Sequence, residues 1–118
     1  MNEKIESLEF TSRQSLLVGC EQSLCIADFR SNAGVEWSNL AQGEIYRIKK
    51  VDSTRYLLAE DAMENVVSLF DIRNPLRPLE IYTCHDAYVT KFFPLHEQFY
   101  SADENGSVFR LSYFNSDI

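Results

Sequence analysis

Apolar residues arrive along this chain in short runs, each closed by a cluster of Ser, Asn, Asp or Gly about every ten residues. Within the runs apolar and polar positions alternate, as in Ile5-Glu6-Ser7-Leu8-Glu9-Phe10 and Leu24-Cys25-Ile26-Ala27. The same holds for Val66-Val67-Ser68-Leu69-Phe70 and Val108-Phe109-Arg110-Leu111. A period of two over such lengths, with many β-branched and aromatic residues, predicts strands rather than helices. Residues 15–29 offer the main competing reading, a helix. Gly19 interrupts that run, and no helical stripe extends over three turns.

The runs are themselves repeated. Ile5-x-x-Leu8-x-Phe10, Ile45-x-x-Ile48 and Val89-x-x-Phe92-Phe93 start 40 and then 44 residues apart. Each is followed by a polar turn (Thr11–Gln14, Asp52–Arg55, His96–Gln98) and a second strand, Leu16–Gly19, Tyr56–Ala59 or Phe99–Ala102. A third strand ends in Asp28-Phe29-Arg30 in the first unit and in Asp71-Ile72-Arg73, 43 residues on, in the second. Fixed self-similarity of this length marks a repeat architecture.

Residues 99–112, Phe-Tyr-Ser-Ala-Asp-Glu-Asn-Gly-Ser-Val-Phe-Arg-Leu-Ser, resemble the second and third strands of a WD40 blade. His85-Asp86-Ala87-Tyr88-Val89 is similar to that family's Gly-His motif, and Phe70-Asp71 occupies its Trp-Asp position. The sequence departs from the pattern at Cys84 (for Gly), at Ala27, Phe70 and Leu111 (for Trp) and at Ser112 (for Asp), so the family's His–Ser–Trp–Asp hydrogen-bond network is not expected intact. The resemblance implies an all-β partial WD40 β-propeller of three antiparallel blades, near 4–40, 44–84 and 88–114, in one domain. The last blade would lack its outer strand, while the other outer strands fall near Gly34–Leu40 and Leu79–Cys84. The arrangement is similar to the C-terminal three blades of a longer propeller. More weakly, it resembles scaffold nucleoporins of the nuclear pore and the peroxisomal targeting-signal receptor. An arc of blades exposes two apolar faces and an open strand edge, so self-association or a protein partner is expected to complete it.

Composition narrows the partners. At 118 residues with 45% hydrophobic and 25% charged residues, the chain has the make-up of an ordinary globular domain. A net charge of −7 disfavours nucleic acid, whose phosphates call for a clustered positive surface. No apolar stretch approaches the roughly 20 residues needed to cross a bilayer, and Met1-Asn2-Glu3-Lys4 does not begin a signal peptide. Cys20, Cys25 and Cys84 form no disulfide framework, which fits a reducing cytoplasmic or nuclear setting.

The strand order also sorts the charges. The turns between second and third strands, and those between blades, collect Glu21, Glu44, Glu60, Asp61, Glu64, Asp86, Asp103 and Glu104 at one end. The opposite end receives Arg13, Arg30, Arg55, Arg73 and Arg77, against Asp52 and Glu97. Such an acidic end would favour a Lys- or Arg-rich partner segment, although carboxylates also serve simply to solvate loops. The candidate partner-binding set is therefore Glu60, Asp61, Glu64, Asp86, Asp103, Glu104, Arg30 and Arg73. Asp28, Asp71, His85, Ser101 and Gly106 are expected to hold the blades together. Two blades ending in Asp-x-Arg also resemble the docking signature of cullin-ligase substrate receptors, beside a purely structural duty. Asn74-Pro75-Leu76-Arg77-Pro78 reads as a rigid loop, and Asn105-Gly106 as a type I′ hairpin turn.

No catalytic constellation assembles from these residues. Cys84 and His85 are neighbours on an extended segment and point apart. His85, Asp86 and Ser101 supply the residue types of a hydrolase, but the WD40 resemblance gives His85 and Ser101 a structural hydrogen bond. Neither Cys20-x4-Cys25 nor Cys84-His85 has the spacing of a zinc site, and no Gly-rich loop cradles phosphate. The expectation is a scaffold without catalytic residues, metal, cofactor or small-molecule substrate. Recognition of a basic peptide is the first alternative and an unrecognised hydrolase the second.

Overall fold

The computed structural model describes residues 4–30, 34–60, 65–74 and 77–114. They form eleven strands and, among the described residues, no helix. The strands are β1 (Ile5–Ser12), β2 (Ser15–Cys20), β3 (Ser23–Asp28), β4 (Glu36–Gln42), β5 (Ile45–Lys50) and β6 (Arg55–Glu60). Then follow β7 (Val67–Asp71), β8 (Glu80–Tyr82), β9 (Val89–Pro94), β10 (Gln98–Asp103) and β11 (Val108–Ser112). Residues 15–29 thus hold two strands of a hairpin, not a helix.

Each strand pairs antiparallel with the next, giving sheets β1-β2-β3-β4, β5-β6-β7-β8 and β9-β10-β11. No strand crosses from one sheet to another, so the three sheets stack face to face in chain order. This is the all-β, three-bladed arrangement expected from the repeat.

The alternation explains why the middle sheet is apolar on both faces. On β6, Tyr56 and Leu58 turn toward the first sheet and join Leu17, Leu24, Ile45, Ile48 and Phe70 in one core. Leu57 and Ala59, one step out of phase, turn toward the third sheet and meet Leu69, Val89, Phe92 and Phe99 in another. A strand buried on both sides reads as a continuous apolar run, as Tyr56-Leu57-Leu58-Ala59 does. Full burial of side chains such as Phe92 and Phe99 stabilises the stack by about 1.5–3 kcal/mol each.

Polar contacts fix how the sheets sit on one another. The Ser7 hydroxyl donates to the Ile45 carbonyl at 2.8 Å, and the Lys50 amide donates to the Glu9 carboxylate at 3.0 Å. Between the second and third sheets, the Tyr46 hydroxyl donates to the Val89 carbonyl at 2.8 Å while its ring stacks on Tyr88. Gly19 lies at a close approach of the first two sheets: a Cβ there would stand 2.2 Å from Ser7 Oγ and 2.3 Å from the Ile45 carbonyl oxygen. The glycine is required by that approach, beyond its effect on helix propensity.

The turn between β10 and β11 differs from expectation. A type I′ turn needs positive φ at Asn105 as well as Gly106. Among the described residues the one non-glycine with positive φ is Phe114, so Asn105 is not left-handed. Instead the Gly106 amide donates to the Asp103 carbonyl at 3.1 Å, closing a turn over 103–106, and Gly106 follows at φ 84°. A longer loop of this kind is available because the Asp103 side chain supplies further acceptors.

Candidate functional site

The turn chemistry leads to a buried polar network. One Asp103 carboxylate oxygen accepts the Asn105 amide at 2.9 Å and the Ser107 amide at 3.2 Å. The other lies 2.8 Å from His85 Nδ1, and His85 Nε2 lies 2.5 Å from Ser101 Oγ. Phe109 meets the imidazole edge-to-face at 4.8 Å. The hydrogen bond from His85, followed by those from the Ser107 and Asn105 amides, holds the Asp103 carboxyl below its ordinary range, against the effect of burial. His85 and Ser101 are therefore joined as expected from the resemblance, and Asp103, placed by sequence with the surface acids, is their enclosed third member. Phe109 supplies the aromatic wall.

Asp103, His85 and Ser101 follow the acid–base–nucleophile order of a hydrolase, with Asp103 in the place that sequence offered to Asp86. Access decides what the arrangement can do. Ser101 and His85 are each 1% exposed. The arrangement turns both groups inward, against each other. Its evident product is rigidity, since the segment before β9 is tied to β10 and its turn.

The two Asp-x-Arg triplets adopt the same closed form. In the first, one Asp28 oxygen accepts the Arg30 amide at 2.9 Å and Nε at 3.0 Å, and the other accepts Nη2 at 2.5 Å. In the second, Asp71 accepts the Arg73 amide, Nε and Nη2 at 2.8, 3.0 and 2.7 Å. Both carboxyls are held below their usual range by the arginine side chain first and its amide second. Each guanidinium thus spends its fork on its own aspartate while staying at a surface position.

The acids expected at one end of the blades differ in exposure. Asp86 and Glu104 are exposed, and Glu44 and Glu60 are half-buried. Glu21 is exposed and its carboxylate accepts the Lys4 amide at 3.0 Å, so one lysine also stands at this end. Asp61 and Glu64 lie outside the described residues. At the opposite end Asp52 accepts the Thr54 and Arg55 amides and pairs with Arg55 Nε at 2.7 Å.

Glu60 differs from its neighbours. It closes β6 beside a cleft of about 160 Å³ between the first and second sheets, lined also by Leu24, Ile45, Leu58 and Phe70. Burial pushes its carboxyl above the ordinary range, and no described residue forms an ion pair with it. Sequence placed Glu60 among the loop acids but gave no sign of the cleft, whose walls come from β3, β5, β6 and β7. Among the described residues no His, Cys, Asp and Glu cluster has the arrangement of a metal site, and no helix is long and apolar enough to cross a membrane. Cys20, Cys25 and Cys84 form no disulfide among the described residues, and burial raises the Cys84 thiol.

No protein-family model matches the chain, and no curated protein matches it in sequence. Solved structures do. Hsv2 from Kluyveromyces marxianus, a WD40-like β-propeller, superposes with a TM-score of 0.67 at 14% identity, over 97% of this chain and 36% of its own. Hsv2 from Kluyveromyces lactis gives the same TM-score and identity over 98% and 35%. The computationally designed Ika4 protein matches with a TM-score of 0.55 at 13% identity, over 95% of this chain and 92% of its own. The chain therefore spans about a third of the length of the Hsv2 proteins. At these identities the likeness shows fold alone: the chain is built as three blades of a β-propeller.

Proposed function

We propose that this chain is a non-catalytic protein-interaction scaffold, a run of propeller blades whose two end faces are covered in the assembled state. The supporting observation is the side-chain phase of the first and third sheets. Ser7 and Glu9 face β5, so Leu8 and Phe10 face away from the second sheet and stand 53% and 65% exposed. In the third sheet Phe99 and Ser101 face inward, which leaves Phe93 and Val108 turned outward at 63% and 68% exposed. Large apolar side chains gathered on opposite ends of one arc call for a covering surface. Within this reading the chain is a WD40-type subunit of a larger cytoplasmic or nuclear assembly, of the nuclear-pore scaffold kind, a setting favoured by the twice-written Asp-x-Arg strand end. Light scattering after gel filtration tests the proposal. Association that weakens in a Phe93→Glu, Val108→Glu variant is expected, and a monodisperse monomer with no binding partner overturns it.

A second reading adds recognition of a basic segment through the acidic end. Asp86 and Glu104 are exposed there on adjacent loops, joined where the Glu104 amide donates to the Tyr88 carbonyl at 3.0 Å, and the net charge is −7. Opposite charge raises encounter rates and biases partner choice. Replacing both residues by lysine is expected to abolish capture of a fluorescent Lys-rich peptide. Unchanged capture rejects this reading.

A further inference from the structure

The cleft between the first two sheets contains a combination that folding alone does not ask for. Four apolar residues from four strands, Leu24, Ile45, Leu58 and Phe70, form its walls. Three side chains with oxygen acceptors, Gln42, Glu60 and Ser68, share it, and no Lys, Arg or His lines it. None of the three makes a side-chain hydrogen bond to another described residue, whereas Asp28, Asp52, Asp71 and Asp103 are all satisfied internally. A carboxylate drawn into apolar surroundings costs stability unless a cation meets it. Burial raises the Glu60 carboxyl, and no described residue forms an ion pair with it.

We propose that this cleft receives one lysine side chain from a partner segment. The four-carbon stem would lie against the apolar walls and the ammonium would reach Glu60. Chemistry selects lysine. An ammonium carries three donors, matched by the three acceptor groups, whereas a guanidinium brings five in a rigid planar fork. The volume of about 160 Å³ suits one side chain rather than a folded element. The stem buries its methylenes while the head stays at a polar site, which is how long cationic side chains ordinarily sit. The proposal rests on the acidic-end reading above and gives it an anchor: Asp86 and Glu104 attract the segment, and the Glu60 cleft holds one residue of it.

The test uses n-butylammonium chloride as the lysine side chain, with 1-butanol as its neutral counterpart, in amide NMR titrations of the intact chain. Butylammonium is expected to shift the Leu24, Leu58 and Ser68 amides saturably, with 1-butanol at least about tenfold weaker, the worth of one charge-assisted hydrogen bond. Glu60→Gln should weaken butylammonium by the same factor. Ala41→Met, which fills the cleft and leaves Glu60 in place, should do likewise. Equal binding of both probes, or shifts indifferent to either variant, overturns the proposal. The Lys-rich peptide separates the two levels. If its capture depends on Asp86 and Glu104 but ignores Glu60→Gln and Ala41→Met, the cleft fails and the acidic end stands. If wild type captures none, the acidic-end reading has failed and the anchor falls with it.

Discussion

His85 Nδ1 lies 2.8 Å from Asp103 Oδ2, and this contact joins the loop before β9 to the end of β10 across 18 residues of sequence. With Ser101 on the other nitrogen and Phe109 against its edge, the imidazole is satisfied on both sides in an enclosed space. Substitution by alanine removes two hydrogen bonds and leaves a void. His85→Ala is expected to cost roughly 2–4 kcal/mol in urea unfolding. Ser101→Ala, which loses one of the bonds and little volume, should cost about 1 kcal/mol. A cost for His85→Ala no larger than for Ser101→Ala would show that the network does not brace the third blade.

The same network sets a pH dependence. The folded Asp103 carboxyl titrates below its unfolded value, so the folded state binds fewer protons as the pH falls through that interval. Its contribution is complete above the unfolded aspartate value of about 3.9 and is lost as pH drops toward the folded one. Asp28, Asp52 and Asp71 are lowered in the same direction. Thermal unfolding followed downward from about pH 5 should show a steep acid limb, less steep in Asp103→Asn. An identical limb in wild type and variant would mean that Asp103 is unperturbed.

The fold was legible because its signal is local. A period of two names a strand, and a unit that recurs every 40–44 residues names a stack, without knowledge of any contact. The twice-written Asp-x-Arg triplets were visible for the same reason, but the pairing of each aspartate with its own arginine was not foreseen. What sequence could not separate were acids whose roles depend on distant partners. Asp103 precedes Glu104-Asn105-Gly106 and looks like one more solvated turn residue, yet His85 encloses it. Glu60 resembles its neighbours in sequence, and only the approach of β3 and β5 places it in an apolar cleft. Gly19 was read as a helix breaker, while its real constraint comes from Ser7 and Ile45 on other strands.

That constraint is testable. Alanine at 19 would drive its Cβ into the Ser7 hydroxyl and the Ile45 carbonyl, and the latter is backbone that cannot rotate aside. Gly19→Ala should therefore separate the inner strands of the first two sheets at a cost of about 1–3 kcal/mol. Adding Ser7→Gly clears the first obstacle and should recover only part of that loss. Full recovery would place the whole clash on the serine.

Tyr56 offers a spectroscopic check on the core between the same sheets. Its ring is fully buried and its hydroxyl donates to the Phe10 carbonyl at 3.3 Å. Burial, with Glu9 and Asp52 nearby, pushes its phenol up to about 12. In alkaline titrations followed by ultraviolet absorbance, one tyrosine transition above about pH 11 should vanish in Tyr56→Phe. The substitution should cost about 0.5–1.5 kcal/mol, the net worth of the lost hydrogen bond. A Tyr56 that ionises with the exposed tyrosines would show that the two sheets part more readily than their shared core implies.

Glu60 should behave in the opposite sense to Asp103. Its folded carboxyl titrates above the unfolded one, so the folded state holds the proton more tightly and stability falls as pH rises through that interval. Below the unfolded glutamate value of about 4.3 both states are protonated and the penalty disappears. Glu60→Gln removes the charge and keeps the shape, so it should melt higher than wild type at neutral pH and alike near pH 3–4, a range set by the same unfolded value. A residue whose removal stabilises the fold is retained for something other than folding, and the melting difference should shrink when butylammonium neutralises the wild-type carboxylate. If Glu60→Gln instead melts lower at neutral pH, the carboxylate is already compensated inside the fold and has no need of an incoming cation.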